Sequence, residues 1–125
     1  MSKAELLARR KAFGLRILKL VDHLLRSTSG RAIGNQLIRS GTSVGANYRA
    51  ACRSRSRAEF AAKLGVVAEE ADETEYWLEV IRDGNLLPAK KLTELLKEAD
   101  ELTAIFTAGR RTSSRNQTSN IKPQT

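Results

Sequence analysis

The chain has few of the residues that make disulfides, membrane spans or sheets. Its 125 residues include one cysteine, two prolines and one histidine, and aromatic side chains make up 5%. Because Cys52 is alone, it excludes an intrachain disulfide framework and fits a reducing cytoplasm. The longest uncharged run, Ser40 to Tyr48, is far below the ~20 residues that cross a bilayer. The amino terminus also lacks the basic-then-apolar pattern of a secretory signal, so we expect a cytoplasmic protein without a membrane role.

What the chain has in abundance is Ala, Leu, Arg, Lys and Glu, which together favour an all-α fold. Apolar residues recur with helical period in four segments, at about residues 4–25, 31–52, 56–82 and 88–109. Short connections between these segments predict an antiparallel up-down-up-down four-helix bundle, formed by residues 1–109. Residues 110–125 have neither an apolar period nor an acid, and we expect them to form a disordered basic tail.

Local signals mark where the helices begin and end. Residues 27–30 break the first helix and offer side-chain caps to the second. Ser56 and Glu59 have the spacing of a capping box at the start of the third. The third and fourth helices then repeat apolar residues at alternating spacings of four and three, which predicts left-handed helix packing. These seams are Phe60, Leu64, Val67, Ala71, Thr74, Leu78 and Ile81, and Leu92, Leu95, Ala99, Leu102 and Phe106.

The second helix has an unusual flank of small residues. Gly34, Gly41 and Gly45 fall on one side of it. Each glycine costs about 1 kcal/mol of helix propensity relative to alanine. We therefore expect another backbone to approach closely there, either within the chain or in an oligomer.

The net charge of +8 is unevenly distributed. Residues 1–58 carry +11, residues 59–109 carry −7, and residues 110–125 carry +4. This asymmetry favours contact of the basic half with a polyanion, neutralisation between helices, or both. Since guanidinium groups bind phosphate oxygens in pairs, three basic regions are candidate nucleic-acid-binding sites. They are Arg9, Arg10 and Lys11; Arg49, Arg53, Arg55 and Arg57; and Arg110, Arg111 and Arg115. Aromatic residues do not interleave with these cations, so we expect recognition of shape and charge without base stacking.

A second candidate surface lies on the acidic third helix. Glu70 and Glu73 share a flank with Trp77, and carboxylates beside apolar side chains need cationic partners. Arg39 and Arg49 of the second helix are the expected partners, either within the chain or from a neighbouring subunit. Tyr76 points away from the seam and indicates a subunit interface. The candidate oligomer or packing interface is Gly34, Gly41, Gly45, Glu70, Glu73, Tyr76 and Trp77.

Residues for catalysis or metal binding are not assembled in any recognisable pattern. Di-metal bundles use Glu-x-x-His pairs, which this sequence does not contain, and His23 projects off the apolar stripe of its helix. Cys52 has no base near it in sequence. The chain has no phosphate loop, dinucleotide fingerprint or hydrolase elbow. We expect a non-enzymatic protein without cofactor, metal or small-molecule substrate.

Residues 36–78 carry a resemblance to a known family. They include the segment from Gln36 to Ala50, the pair Glu59-Phe60, the acidic run Glu69 to Thr74, and Tyr76-Trp77-Leu78. This pattern resembles the four-helix bundle proteins that are also called intervening-sequence proteins, because some are encoded inside insertions in large ribosomal RNA genes. The likeness extends over about residues 13–106. Many members continue Asn47 with Ile-Ala-Glu-Gly, whereas this chain has Tyr-Arg-Ala-Ala.

The resemblance implies more than the composition does. Members are antiparallel four-helix bundles that assemble as ring-like homopentamers, so a pentamer is the expected state. The accessory variability determinant of diversity-generating retroelements is similar, and its basic surface is associated with nucleic acid and a reverse transcriptase. Two hypotheses follow. The chain is either a basic oligomeric module that binds RNA or DNA, as an accessory to a ribonucleoprotein or reverse transcriptase, or a protein-interaction scaffold without direct nucleic-acid binding.

Overall fold

The computed structural model describes the backbone of residues 1–24 and 26–121, and side chains as far as residue 114 apart from residue 25. It contains four α-helices, which we number in chain order: α1 (Lys3–Val21), α2 (Thr28–Ala51), α3 (Arg57–Asp83) and α4 (Thr93–Ile121). A single 3-10 turn, Ala89–Lys91, precedes α4, and no strand occurs among the described residues. The predicted all-α four-helix bundle is confirmed.

Serine residues cap the first three helices. The hydroxyls of Ser2, Ser27 and Ser56 accept hydrogen bonds from backbone N–H groups three residues later, at 3.1, 3.0 and 3.1 Å. Each bond satisfies one of the donors that a helix start leaves free. Ser27 therefore sets the beginning of α2 at Thr28, three residues before the sequence prediction. The first helix correspondingly ends at Val21 and not at about residue 25.

The end of α3 depends on an asparagine. Gly84 has an ordinary φ of −84°, whereas Asn85 adopts a left-handed φ of 56°. Asparagine tolerates this conformation better than most residues with a Cβ. The N–H of Leu86 then donates to the carbonyl of Ile81 at 3.0 Å, which closes the helix. Pro88 follows in extended conformation, so the predicted helical turn there is a 3-10 turn.

The fourth helix is longer than the sequence predicted. It continues through Gly109 and includes Arg110, Arg111 and the residues as far as Ile121. The first part of the predicted basic tail is thus helical in the structure, and residues 122–125 lie outside the described part. Gly109 sits against Leu64 of α3, where an added Cβ would meet the Leu64 side chain at 3.4 Å. The glycine thus serves packing between α3 and α4, and it does not end the helix.

The predicted seams form the core. All of the seam residues of α3 and α4 are buried except Phe60, which is half-buried. They meet Phe13, Ile17, Leu37 and Val44 of the first two helices. Two polar side chains are buried among them, and each donates its hydroxyl to its own helix: Ser40 to the carbonyl of Leu37, and Thr74 to that of Glu70.

The glycine flank packs closely in the same chain against α1 and Leu24, and the groups that meet the three glycines are side chains, where the prediction was an approaching backbone. Gly34 faces Val21 and Leu24, Gly41 faces Ile17, and Gly45 faces Arg10. A Cβ at Gly41 would stand 3.0 Å from the Ile17 side chain, and one at Gly45 would stand 2.9 Å from the Arg10 guanidinium. These glycines therefore belong to packing within the chain.

Each helix packs on the next in the sequence, and α1 and α4 close the bundle with sparser contact. The alternation brings four segments to one end of the molecule: the start of α1, the end of α2, the start of α3 and the later turns of α4. We call this the basic end, because it holds Arg49, Arg53, Arg55, Arg57, Arg110 and Arg111. The fold thus gathers cations from the middle of the sequence and from its carboxyl-terminal part.

Candidate nucleic-acid interface

The arginines of the basic end have no carboxylate partners. Within the described side chains, none of its six arginines takes part in an ion pair. All six side chains are exposed. The acids that the described residues bring to this end are Glu5 and Glu59. The basic end is therefore a surface of strong positive potential, suited to contact several phosphates at once.

Hydrogen bonds shape the loop that carries three of these arginines. The Ser56 hydroxyl caps α3, and a Glu59 carboxylate oxygen accepts from the backbone N–H of Arg55 at 3.4 Å. This is the predicted capping box with one change, since Glu59 reaches one residue further back than Ser56. Glu59 also pairs with Lys63 at 2.9 Å. The Lys63 ammonium and then the Arg55 N–H lower the pKa of Glu59, so its charge remains at neutral pH and keeps the loop in place.

Arg110 is positioned by a glycine on the neighbouring helix. Its side chain lies across Gly65 of α3, where an added Cβ would come within 3.4 Å of the Arg110 Cδ and Nε atoms. The long apolar stem covers helix surface while the guanidinium remains exposed. A larger residue at position 65 would displace this cation. Arg111 is exposed beside it, and Arg115 lies beyond the described side chains.

Arg9, although predicted with the other cations, is engaged inside the bundle. Its Nε and Nη2 atoms donate to the two Glu98 carboxylate oxygens at 2.7 and 2.5 Å, and Nη2 also reaches Glu101 at 2.5 Å. The hydrogen bond to Glu98 is the main cause that raises the pKa of Arg9. Because α1 and α4 otherwise touch sparsely, this bidentate pair holds the two helices together. Its charge is neutralised in place.

The neighbours of Arg9 divide between packing and solvent. Arg10 crosses Gly45 toward Tyr48, and its Nε is buried without a hydrogen-bond partner among the described residues. Burial is the main cause that raises the pKa of the Tyr48 phenol to about 12; the Cys52 thiol acts in the same direction, and the Arg10 charge opposes it. Of this first basic region, Lys11 is exposed and Arg10 is packed against the bundle, and neither makes an ion pair with a described side chain.

The acidic and aromatic cluster of α3 has the predicted partner. Arg39 Nη2 donates to Glu73, and Arg39 Nη1 lies 3.4 Å from Glu70. The Trp77 Nε1–H donates to the same Glu73 oxygen at 3.0 Å, and the Tyr76 ring meets Trp77 edge-on with centroids 4.9 Å apart. The indole bond and then Arg39 lower the pKa of Glu73. Arg49, the other expected partner, makes no ion pair with any described side chain.

Two other acids lack a cation and repel one another. Glu75 of α3 and Asp100 of α4 approach each other, with Glu79 and Asp72 nearby. Partial burial and then the charge of Asp100 raise the pKa of Glu75. No group of three potential ligands among the described residues could hold a metal ion. The cluster is an unfavourable charge pair on the helix surface.

The one thiol and the one imidazole lie far apart. Cys52 is at the end of α2, in the basic end, whereas His23 follows α1 at the other end of the bundle. The His23 Nδ1 donates to the Lys19 carbonyl at 2.8 Å. A nucleophile and base within hydrogen-bond reach are therefore not found in this pair.

No helix among the described residues is both long and apolar enough to traverse a bilayer.

Sequence reasoning missed a cavity at the basic end. Tyr48, Phe60 and Phe106 come from α2, α3 and α4, and together with Leu6 of α1 they line a space of about 300 Å³. The Tyr48 and Phe106 rings are tilted by 46°, with centroids 5.3 Å apart. In the sequence these residues have the spacing of core positions, so only the tertiary structure shows that they meet beside the arginines.

The fold and the site define an all-α four-helix bundle with a cationic end. Among the described residues, no catalytic group is assembled. The family comparison is specific: the chain belongs to the 23S rRNA-intervening sequence protein family, whose model matches residues 3–108. Among proteins with curated descriptions, none matches this sequence.

A solved structure extends the comparison to three dimensions. The chain is similar to a protein of unknown function from the S23 ribosomal protein family of Bacteroides thetaiotaomicron, with 31% sequence identity and a TM-score of 0.76. The match covers 82% of this chain and 94% of that chain. The resemblance drawn from residues 36–78 is thereby confirmed for the family and the fold.

Proposed function

We propose that the protein is a non-enzymatic helical module that binds RNA or DNA through its basic end. The observation that carries this proposal is the clustering of six exposed arginines at one end of the bundle, none of which pairs with a described carboxylate, whereas Arg9 and Arg39 are held by carboxylates. A cluster of unpaired cations at one end is better explained by binding of a polyanion than by a need for solubility alone. Membership in a family named for ribosomal RNA insertions is in keeping with this class of partner.

The geometry favours recognition of the phosphate backbone. Glu59 accepts a hydrogen bond from the backbone N–H of Arg55, and the Arg110 side chain lies against Gly65. The exposed guanidinium forks at this end can each bind two phosphate oxygens. Such contacts position a duplex or folded RNA without reading its sequence. We expect shape-dependent binding whose affinity falls steeply with salt.

Two charge-matched triple variants test this proposal. One replaces Arg53, Arg55 and Arg57 by Ala at the basic end, and the other replaces Arg26, Arg31 and Lys90 by Ala at the opposite end. Anisotropy with a labelled RNA hairpin, measured over a range of salt concentrations, gives the affinity and its salt slope. Each lost phosphate contact reduces the slope by about 0.9. We expect the first variant to lose two to three such contacts and the second to retain the slope of the unmodified protein.

Equal losses in the two triple variants would reject a defined interface, because net charge alone would then explain the binding. Absence of RNA and DNA retention by the unmodified protein at low ionic strength would reject the proposal entirely. Circular dichroism of both variants provides the control for folding. The substituted side chains are exposed and outside the core, so both variants should retain the helical content of the unmodified protein.

We further propose that the module is a homo-oligomer, with a pentamer as the state that the family resemblance implies. Two exposed apolar patches support self-association. On α1, Leu15 and Leu18 are 52% and 40% exposed, and on α3, Val66 and Tyr76 are 42% and 55% exposed. These helices are not neighbours in the bundle, so pairing of one patch with the other is heterologous, the type of contact that forms a ring when its rotation closes. This surface also supports the alternative function, a scaffold that docks a protein partner in a ribonucleoprotein or beside a reverse transcriptase.

Light scattering distinguishes these assemblies. Tyr76→Asp places a charge in the α3 patch, and Ala62→Asp places the same charge at an exposed position elsewhere on α3. We expect the first substitution to dissociate the oligomer and the second to leave its mass unchanged. A monomeric unmodified protein would reject the oligomer, and an oligomer insensitive to both changes would reject this interface.

A further inference from the structure

The cavity at the basic end combines aromatic walls with two hydroxyls. Its accessible wall is formed by the half-buried side chains of Leu6 and Phe60, so Phe60 supplies the ring on which a planar group can stack, and the rings of Tyr48 and Phe106 are buried behind it. Thr112 and Ser113 of α4 contribute hydroxyl groups at the same site. Pockets for small organic groups have this composition, apolar over most of the surface with a few polar atoms that fix orientation.

The volume sets the size of the occupant. About 300 Å³ is at the lower end of the range for ligand pockets, which suits one ring system and excludes a long chain or a whole helix. Planar groups with a π-face stack favourably on aromatic side chains and do so whatever their substituents. Hydroxyl groups both donate and accept, so they can satisfy the polar edge of a heterocycle.

The surroundings identify what such a ring would be attached to. Arg57 lies one helical turn before Phe60 on α3, and Arg110 follows the lining residue Gly109 on α4, where its side chain lies across Gly65. Two cations therefore flank the lining residues, and neither has an ion pair among the described residues. A planar ring carried on an anionic backbone is complementary to both features at once.

We propose that this cavity accepts an unpaired nucleobase of the nucleic acid whose phosphates bind the surrounding arginines. The inference rests on the proposed nucleic-acid binding and adds the substrate feature that the basic end distinguishes: a bulged, looped or terminal nucleotide in an otherwise paired molecule. Such a base is already out of its stack, so its entry does not require breaking a base pair. The aromatic contacts then add affinity that an unbroken duplex cannot obtain.

The test compares two RNAs and two variants. The RNAs are a blunt duplex and the same duplex with one bulged adenine, which is replaced by 2-aminopurine for fluorescence. Ser113→Leu fills the cavity, whereas Ala108→Leu adds the same side chain at an exposed position on the same helix. We expect the unmodified protein to prefer the bulged RNA about tenfold, the size of effect seen for base–aromatic stacking. Ser113→Leu should lose the preference but retain affinity for the blunt duplex, and Ala108→Leu should keep both.

Quenching of 2-aminopurine by the unmodified protein supplies a readout that does not depend on how any variant folds, since stacking on aromatic rings changes its emission. Equal affinity for the two RNAs, with no change in emission, overturns the base pocket while leaving phosphate binding intact. A change in oligomeric mass on Ser113→Leu with unaltered RNA preference also overturns it, because the cavity would then receive a side chain of another copy. Failure to bind either RNA overturns the proposed function and this inference together.

Discussion

Arg9 and Arg39 differ from the arginines of the basic end in what the fold places opposite them. Arg9 meets Glu98 and Glu101, and Arg39 meets Glu70 and Glu73. Each is a cation between two carboxylates, and each joins two helices. Arg53 and its neighbours lie where α1, α2 and α4 supply almost no acid. The same side chain therefore serves as a connector in the middle of the bundle and as a free cation at its end.

The comparison explains how a chain of net charge +8 can be internally neutralised and still present a basic surface. Glu70 and Glu73 of α3 pair with Arg39 of α2, and Glu98 and Glu101 of α4 pair with Arg9 of α1. Among the described side chains, unpaired cations remain at both ends of the bundle, and the basic end holds six exposed arginines. Because the arginines of the basic end make no ion pair with any described side chain, they contribute little to stability.

The largest effect on stability is expected when the charge of one paired arginine is reversed and compared with the same reversal at an unpaired arginine. Arg9→Glu removes a bidentate pair and puts a third carboxylate beside Glu98 and Glu101. We expect it to destabilise the bundle by about 2 kcal/mol, because repulsion is added to the lost hydrogen bonds. Arg53→Glu removes no partner, and the expected change is within about 0.5 kcal/mol. Urea unfolding at low salt measures both.

RNA affinity should show the opposite order in the same two variants. Arg53→Glu is expected to weaken binding by tenfold or more, and Arg9→Glu much less, once the fraction of folded protein is taken into account. Pairing Arg9→Glu with Glu98→Arg should recover part of the lost stability, as reversal of one ion pair does when its geometry is retained. Equal destabilisation by the two single reversals would remove the distinction between connector and free cation.

A smaller effect is expected where acids lack a cation. Glu75→Gln removes the repulsion from Asp100 and should stabilise the protein at pH 7 by less than about 1 kcal/mol. The pKa of Glu75 is higher in the folded protein than in the unfolded chain. Its protonation therefore stabilises the fold at pH values below the unfolded-state pKa, and this contribution is lost as the pH rises through the folded-state pKa. The advantage of the glutamine variant should therefore vanish near pH 4. An advantage that persists in acid would show a cause other than this charge pair.

The smallest effect is local and spectroscopic. Trp77 is the single tryptophan, and its indole N–H donates to Glu73. The pKa of Glu73 is lower in the folded protein than in the unfolded chain. Its charge therefore contributes to stability at pH values above the unfolded-state pKa, and this contribution is lost as the pH falls through the folded-state pKa. We expect the Trp77 emission to change below about pH 4.5. In Glu73→Gln this transition should be absent, and its persistence would assign the change to another group.

Much of the fold could be predicted from periodicity, because the seams of α3 and α4 face one core and their repeat is nearly unbroken. The helix ends were less predictable. Ser27 starts α2 earlier than expected since its hydroxyl reaches Gly30, and Asn85 carries the left-handed conformation at the end of α3. Gly109 resembled a helix end in the sequence. In the structure it packs against Leu64, and α4 continues beyond it.

The candidate site was predictable in its residue types and not in their pairing. Arg9 and Arg53 look alike in the sequence, since both lie in basic clusters. They differ in the fold because α4 lies beside α1 and places its carboxylates next to Arg9. The pairing of Arg39 with Glu70 and Glu73 could be predicted from the flank they share with Trp77. The aromatic cavity could not, because Tyr48, Phe60 and Phe106 are far apart in the sequence and each occupies an ordinary apolar position.

The salt dependence of RNA binding by the unmodified protein is the most direct test of the claim that the basic end is a phosphate-binding surface. With several of its six arginines engaged, a plot of log affinity against log salt concentration should be linear, with a slope steeper than about −3. A slope near zero, or no binding at the lowest salt concentration, would contradict the account.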